Sequence, residues 1–432
     1  MKKLVLFVLI VSAVLFPACS DEGGANGESP GKKVPFRNHS NAIIIHWNSL
    51  ALETMQVPAY DPMIGSRIFA MVHIAMHDAL NSIAPVYETY TNHGIDKKAD
   101  PIAAVSAAAY TVLVKSFPDR KDFLDAALAE STKNVKSTDA KQRGITLGTA
   151  AGNAIYALRE SDGAFANPIS EVNNPLEPGV YQAVPPMAIL YAPFWATLPT
   201  FGLESPQQFR SVSQPGITSE IYTRDYNEVK EKGRLENSTR TDEETFIAKF
   251  WYEFSDIGWN RVTAVAAMDK KLDLISTARL FALVNMAMAD SYIAGWDAKF
   301  HYNFWRPYTA IRAAETDGNG NTAADTNWEP LMVTPPVQDY PSTHSTLGNA
   351  AAVVLSNIIG ANTAFTMTST SAEPANSTRT FSSFAQAAVE NADSRVLAGL
   401  HFRFSCEEGL VLGEKVGQWM LNHQLKPLKG NF

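Results

Sequence analysis

The chain has 432 residues, 46% of them hydrophobic, and carries 36 Lys and Arg against 44 Asp and Glu for a formal net charge of −8. A chain of this length and apolar content buries a large core, and its acidic balance lacks the basic footprint that nucleic-acid binding requires. Its two cysteines, Cys19 and Cys406, cannot build a disulfide framework, so the core must supply the stability.

Met1-Lys2-Lys3, an apolar run from Leu4 to Phe16, and then Pro17-Ala18-Cys19 predict a secretory signal over residues 1–18. The apolar run is too short to span a bilayer. Cys19 directly after it predicts a lipidated new N-terminus, and residues 19–35, polar and rich in glycine, read as a flexible tether. The expected destination is the cell envelope (periplasm or outer membrane) or the exterior, with a lipid as the membrane attachment.

From 36 to 432 the pattern is helical. Apolar residues recur at three- and four-residue spacing over 64–82, 102–117, 120–135 and 140–161, all rich in alanine. The same spacing runs over 243–254 and 260–304, then 345–359, 382–389, 393–404 and 407–421. Proline and polar residues predict loops at 162–240, 316–340 and 360–380. Strand-like alternation is scarce, so the expected fold is all-α, with helical bundles packed as one large domain.

In the helix over 64–82, His73 and His77 have the i, i+4 spacing of a two-histidine metal site, with Asp78 adjacent. Their neighbours Met71, Val72, Ile74, Ala75 and Met76 are core-like, and the glutamate of the zinc-protease pattern is missing. Packing or support of other residues is the reading preferred over a metal site.

Three motifs in the last third carry the chemistry. Lys299 and Arg306, in KFHYNFWRP, are seven apart, about two helical turns, and so predict one shared face, with Pro307 placing Arg306 near a helix end. Phe300, Tyr302, Phe304 and Trp305 between them make a poor solvated surface. Pro341-Ser342-Thr343-His344 stands just before an apolar run, at a predicted helix N-terminus where free N–H groups and the dipole favour an anion. Arg395 and His401, in SRVLAGLHF, are roughly 120° out of phase on an ideal helix. A bend near Gly399 or the reach of the arginine must bring them together. Three cations, a hydroxyl and two imidazoles suit one tetrahedral oxyanion.

These motifs, in this order, resemble those of the vanadium-dependent haloperoxidases and of the acid phosphatases that share their oxyanion site. The family pattern runs Lys-x6-Arg-Pro, Pro-Ser-Gly-His, then Ser-Arg-x5-His, usually with Asp four residues further on. Here Thr343 takes the glycine position and Ser405 the usual aspartate position. Trp296, Phe304-Trp305, Pro335-Pro336 and Tyr340 extend the match on the haloperoxidase side, as does the stretch from Phe69 to Ala79.

The resemblance implies a vanadate cofactor bound by Lys299, Arg306, Ser342, Thr343, Arg395 and His401, with His401 bonding vanadium and His344 and Lys299 catalytic. It implies hydrogen peroxide, a halide and a small organic acceptor as reaction partners. Trp296 and Val337 occupy positions that line the halide side of related pockets. Val337 is small where a chloride-oxidising relative has an aromatic, which favours iodide or bromide. Because Ser405 offers no carboxylate, the group orienting His401 must come from elsewhere. Two alternatives stay open: an acid phosphatase with His401 as nucleophile, and a non-catalytic oxyanion-binding lipoprotein.

Overall fold

The computed structural model describes residues 36, 39–55 and 61–428, which fall in a compact unit spanning Val34–Phe432. The signal segment, Cys19 and the tether lie outside the described residues. The helices, in chain order, are α1 (Ala42–Met55), α2 (Pro62–Ile83), α3 (Pro101–Ser116), α4 (Lys121–Thr132), α5 (Thr138–Arg159), α6 (Glu220–Lys232) and α7 (Asp242–Phe250). They continue as α8 (Ser255–Asp269), α9 (Leu274–Tyr302), α10 (Pro307–Arg312), α11 (Thr343–Ile358), α12 (Phe384–Leu397) and α13 (Arg403–His423). Two antiparallel ribbons complete the set: β1 (Ile169–Ser170) with β2 (Leu190–Tyr191), and β3 (Phe365–Thr368) with β4 (Thr378–Phe381).

The molecule is built around α9. Its 29 residues are buried almost throughout, and a helix apolar on every side belongs at the centre of a large core. Asp273 caps its start by accepting from Ser276 N. It packs against α2 on one side and α11 on the other; α2 in turn packs on α3 and α5, and α11 on α12 and α13. The α11–α13 contact is unusually close because α13 presents Gly409, Gly413 and Gly417 one turn apart. A Cβ at these positions would lie 2.5 Å from Ser342 O, 2.3 Å from Thr346 O and 2.8 Å from Ala350 O, all on or beside α11.

The all-α expectation holds, with local corrections. Residues 260–304 are two helices rather than one: Lys271 turns the chain at φ 54°, and Asp273 opens α9. The loop expected over 162–240 contains α6, whose buried stripe is Tyr222, Asp225, Tyr226 and Val229. The loop expected over 360–380 contains most of the β3–β4 ribbon. The runs at 382–389 and 393–404 are reorganised as α12 ending at Leu397 and α13 beginning at Arg403. Helices α1 and α10 carried no recognised periodicity.

Candidate active site

All three motifs converge on one cavity. Lys299 lies in the last turn of α9, which ends at Tyr302 with Asn303 at φ 48°. Arg306 is therefore not two turns further along the same helix, as the spacing suggested. It is the extended residue (φ −84°, ψ 156°) that precedes Pro307 and α10, and the left-handed cap folds it back beside Lys299. Ser342 is the N-cap of α11, and Thr343 and His344 are its first residues. Arg395 lies in the last turn of α12, and His401 in the short connection to α13. Gly399, at φ 79°, makes the bend between them; a Cβ there would lie 2.4 Å from Gly233 O.

The cations are sunk into the protein: Lys299 is 0% exposed, and Arg306 and Arg395 are each 1% exposed. Backbone carbonyls hold them in place. Lys299 Nζ donates to Gln338 O at 2.7 Å and Asp339 O at 2.9 Å. Arg306 donates from Nε to Val337 O at 2.7 Å and from Nη1 to Leu400 O at 2.8 Å. Arg395 donates from Nη2 to Trp251 O at 2.9 Å and from Nε to Ser394 Oγ at 3.1 Å. These bonds aim the charges without cancelling them. Among the described residues, the ion pairs that reach the cluster end on Asp339, 3.9 Å from Arg306 Nη1 and 2.9 Å from His401 Nδ1.

The electrostatics follow from this crowding. Burial, then repulsion from Arg306, holds the Lys299 ammonium well below the usual lysine range. Burial lowers Arg306 and brings Arg395 down to about 10. Burial, and then Arg395, holds His344 well below 6.5, and burial followed by Arg306 does the same for His401. Burial pushes Asp339 up to about 6 against the pull of Arg306 and Lys299. Both imidazoles are neutral at neutral pH. The Nε2 of His344 is 3.3 Å from Glu253 O, a contact made when Nε2 carries the proton, which leaves Nδ1 as the basic atom. The Nδ1 of His401 faces Asp339, and its Nε2 lies 3.0 Å from Arg306 Nη1.

These groups open on a cavity of about 390 Å³, lined by Lys299, Arg306, Thr343, His344 and His401 on its charged side. Trp296 and Val337 line it too, with Met63, Tyr191, Tyr252, Phe254 and Tyr292 around them. Ser342 and Arg395 are not among its lining residues. Ser342 sits behind it, its Oγ accepting from Ser345 Oγ at 3.1 Å instead of capping the helix. Thr343 Oγ1 is buried with no hydrogen-bond partner. An orphaned hydroxyl, a helix N-terminus and three under-neutralised cations fit an oxyanion such as vanadate.

His73 and His77 make no joint site. His73 bonds Asn48 Oδ1 through Nε2 at 3.0 Å and stacks on Phe281, and His77 pairs through Nδ1 with Asp78. The residues that the motifs missed are Asp339, Tyr252, Phe254 and the carbonyls of Trp251 and Glu253. Only Asp339, an acid directly ahead of Tyr340-Pro341-Ser342, left a signal in the sequence.

The comparisons agree with this geometry. A family model described as the VCPO second helical-bundle domain matches residues 279–430, the stretch that holds all three motifs. The vanadium chloroperoxidase of Curvularia inaequalis is 24% identical over 403 residues, covering 72% of this chain. The crystal structure of the first bacterial vanadium-dependent iodoperoxidase superposes with a TM-score of 0.77 at 25% identity, covering 90% of this chain and 98% of that one. Over its C-terminal part, and in its overall fold, the chain resembles the vanadium-dependent haloperoxidases. It spans 64% of the length of the Curvularia protein. A bacterial vanadium-dependent chloroperoxidase, at 15% identity and a TM-score of 0.71, shares the fold.

Proposed function

We propose that the chain is a vanadate-dependent haloperoxidase that oxidises iodide or bromide, rather than chloride, with hydrogen peroxide. The observation that carries this reading is the burial of Lys299, Arg306, Arg395 and His401 with one carboxylate, Asp339, among them, a positive excess that a tetrahedral oxyanion neutralises. Lys299, Arg306, Arg395, Ser342 and Thr343 would hold the oxygens of the anion, and His401 Nε2 the vanadium. Bound vanadate supplies a Lewis acid that makes hydrogen peroxide electrophilic without a change of its own oxidation state.

Halide, peroxide and one proton give hypohalous acid and water, so a proton must be handled at the site. His344 is neutral with its Nε2–H committed to Glu253 O, and its Nδ1 takes a proton from peroxide and returns it. Lys299 has two of its three N–H bonds on carbonyls; the third would be free to donate to an oxygen of a bound oxyanion. Trp296 and Val337 shape the halide side, and the small aliphatic Val337 together with the likeness to an iodoperoxidase supports the larger halides. We further read the chain as exported and anchored by a lipid on Cys19.

The test is reconstitution of the purified protein with vanadate, then halogenation of an indicator by iodide or bromide with peroxide from acid to neutral pH. Activity with iodide, bromide or both is expected, and inactivity with both overturns the reading. Hydrolysis of a generic phosphate monoester, inhibited by vanadate, would move the assignment to an acid phosphatase with His401 as nucleophile.

A further inference from the structure

The family pattern orients its vanadium-bonding histidine with a carboxylate four residues downstream, and this chain has Ser405 there. The fold nevertheless delivers a carboxylate to the same imidazole from a different segment. Asp339 lies three residues ahead of Ser342, at the end of the loop between α10 and α11. Its backbone is fixed at both ends of the residue: its N–H donates to Phe304 O at 3.0 Å, and its carbonyl accepts from Lys299 Nζ at 2.9 Å. Its side chain is fully buried, and Ser405 Oγ donates to Oδ2. The other oxygen, Oδ1, is 2.9 Å from His401 Nδ1 but has no aligned hydrogen bond. A buried carboxylate oxygen without an aligned donor is costly, and a small turn of the imidazole supplies the donor.

We propose that Asp339 is the positioning residue of His401, a carboxylate transposed from the position that Ser405 occupies, with Ser405 retained as the hydroxyl that holds it. The assignment rests on the reading of the cavity as an oxyanion site. Asp339 fixes the His401 tautomer with the proton on Nδ1 and the lone pair on Nε2, the form that bonds a metal. The same residue lends its carbonyl to Lys299, so one short segment aims both His401 and a cation. Positions 339 and 405 are in hydrogen-bond contact, and a carboxylate carried at either reaches the same space.

The experiment uses the full chain in four forms: wild type, Asp339→Asn, Asp339→Leu, and the exchange Asp339→Ser with Ser405→Asp. Vanadate affinity is measured by titration calorimetry, and the His401 tautomer by ¹⁵N spectroscopy without vanadate, with circular dichroism checking the fold. Loss of an orienting partner weakens metal affinity by about 10–100-fold. Asp339→Leu should show the larger loss, and Asp339→Asn, which keeps an acceptor, a smaller one. The exchange should regain most of the affinity, which a merely structural aspartate would not allow. In the spectra, Asp339→Leu should move the proton from Nδ1 to Nε2. A folded Asp339→Leu with the wild-type tautomer, or with vanadate affinity within about twofold of wild type, overturns the proposal. So does a folded exchange variant no better than Asp339→Leu. If the wild type binds no vanadate, the oxyanion reading itself falls, while the tautomer result still decides the role of Asp339.

Discussion

Burying an uncompensated cation costs several kcal/mol even after the surroundings relax, and Lys299, Arg306 and Arg395 are all buried within reach of one another's fields. Their bonds to main-chain carbonyls offset part of that cost and leave the charge in place. Under the proposed function, His344 and His401 divide the chemistry. Replacing His344 with alanine should lower halide oxidation by about 10²–10⁴-fold, while vanadate binding stays within a few-fold of wild type. His401→Ala should abolish vanadate binding itself, as read by calorimetry. His73 shows what a buried imidazole does outside the site. Burial brings it from 6.5 down to about 3, so the unfolded chain binds more protons than the folded one between those values. Its contribution to stability is complete above pH 6.5 and is lost as pH falls towards 3. His73→Phe should therefore flatten the fall in stability between pH 6.5 and 4, measured as urea midpoints.

Helix ends do most of the positioning. The motif residues sit at or just beyond termini: Lys299 and Arg395 in last turns, Arg306 ahead of a first one, Ser342 at an N-cap with Thr343 and His344 after it, and His401 between two helices. Termini expose unpaired backbone groups and permit sharp turns, which a continuous helix does not. Gly399→Ala should destabilise the fold by about 1–3 kcal/mol or more, because alanine is strained at φ 79° and its Cβ meets Gly233 O. The same change should weaken vanadate binding by moving His401. Gly413→Ala tests the seat of α11: a Cβ 2.3 Å from Thr346 O forces α11 and α13 apart. Loss of both thermal stability and oxyanion affinity is expected, by thermal melts and calorimetry, and unchanged affinity in a folded variant would separate the helix contact from the site.

At the scale of the molecule, an oxyanion bound as proposed would relieve repulsion between the buried cations of the folded chain. Sulfate is the simplest probe, since its own charge is constant near neutral pH. It should raise the melting temperature in a concentration-dependent way. Its binding should also take up protons, because a nearby anion raises the depressed affinities of Lys299, His344 and His401 for protons. Calorimetry in buffers of different ionisation enthalpy reads this directly; proton release would contradict the electrostatic account. For the anchor, a Cys19→Ser variant should appear in the soluble fraction, and one that stays with the membrane would disprove lipidation at that residue.

Periodicity and motif order carried most of the helices, the all-α class and every direct candidate ligand, because these are local properties of neighbouring residues. Lys299, Arg306, Ser342, Thr343, His344, Arg395 and His401 were singled out by residue type, spacing and the family resemblance together, with a bend near Gly399 as one of two ways to join Arg395 and His401. Three-dimensional packing decided the remainder. Helix α6 was hidden in a polar segment because its buried stripe is only Tyr222, Asp225, Tyr226 and Val229. The break between α8 and α9 depends on one left-handed residue, Lys271. Above all, the partner of His401 is Asp339, 62 residues away along the chain. No local pattern announces such a contact, since its geometry comes from α9, α11 and α13 closing on one another.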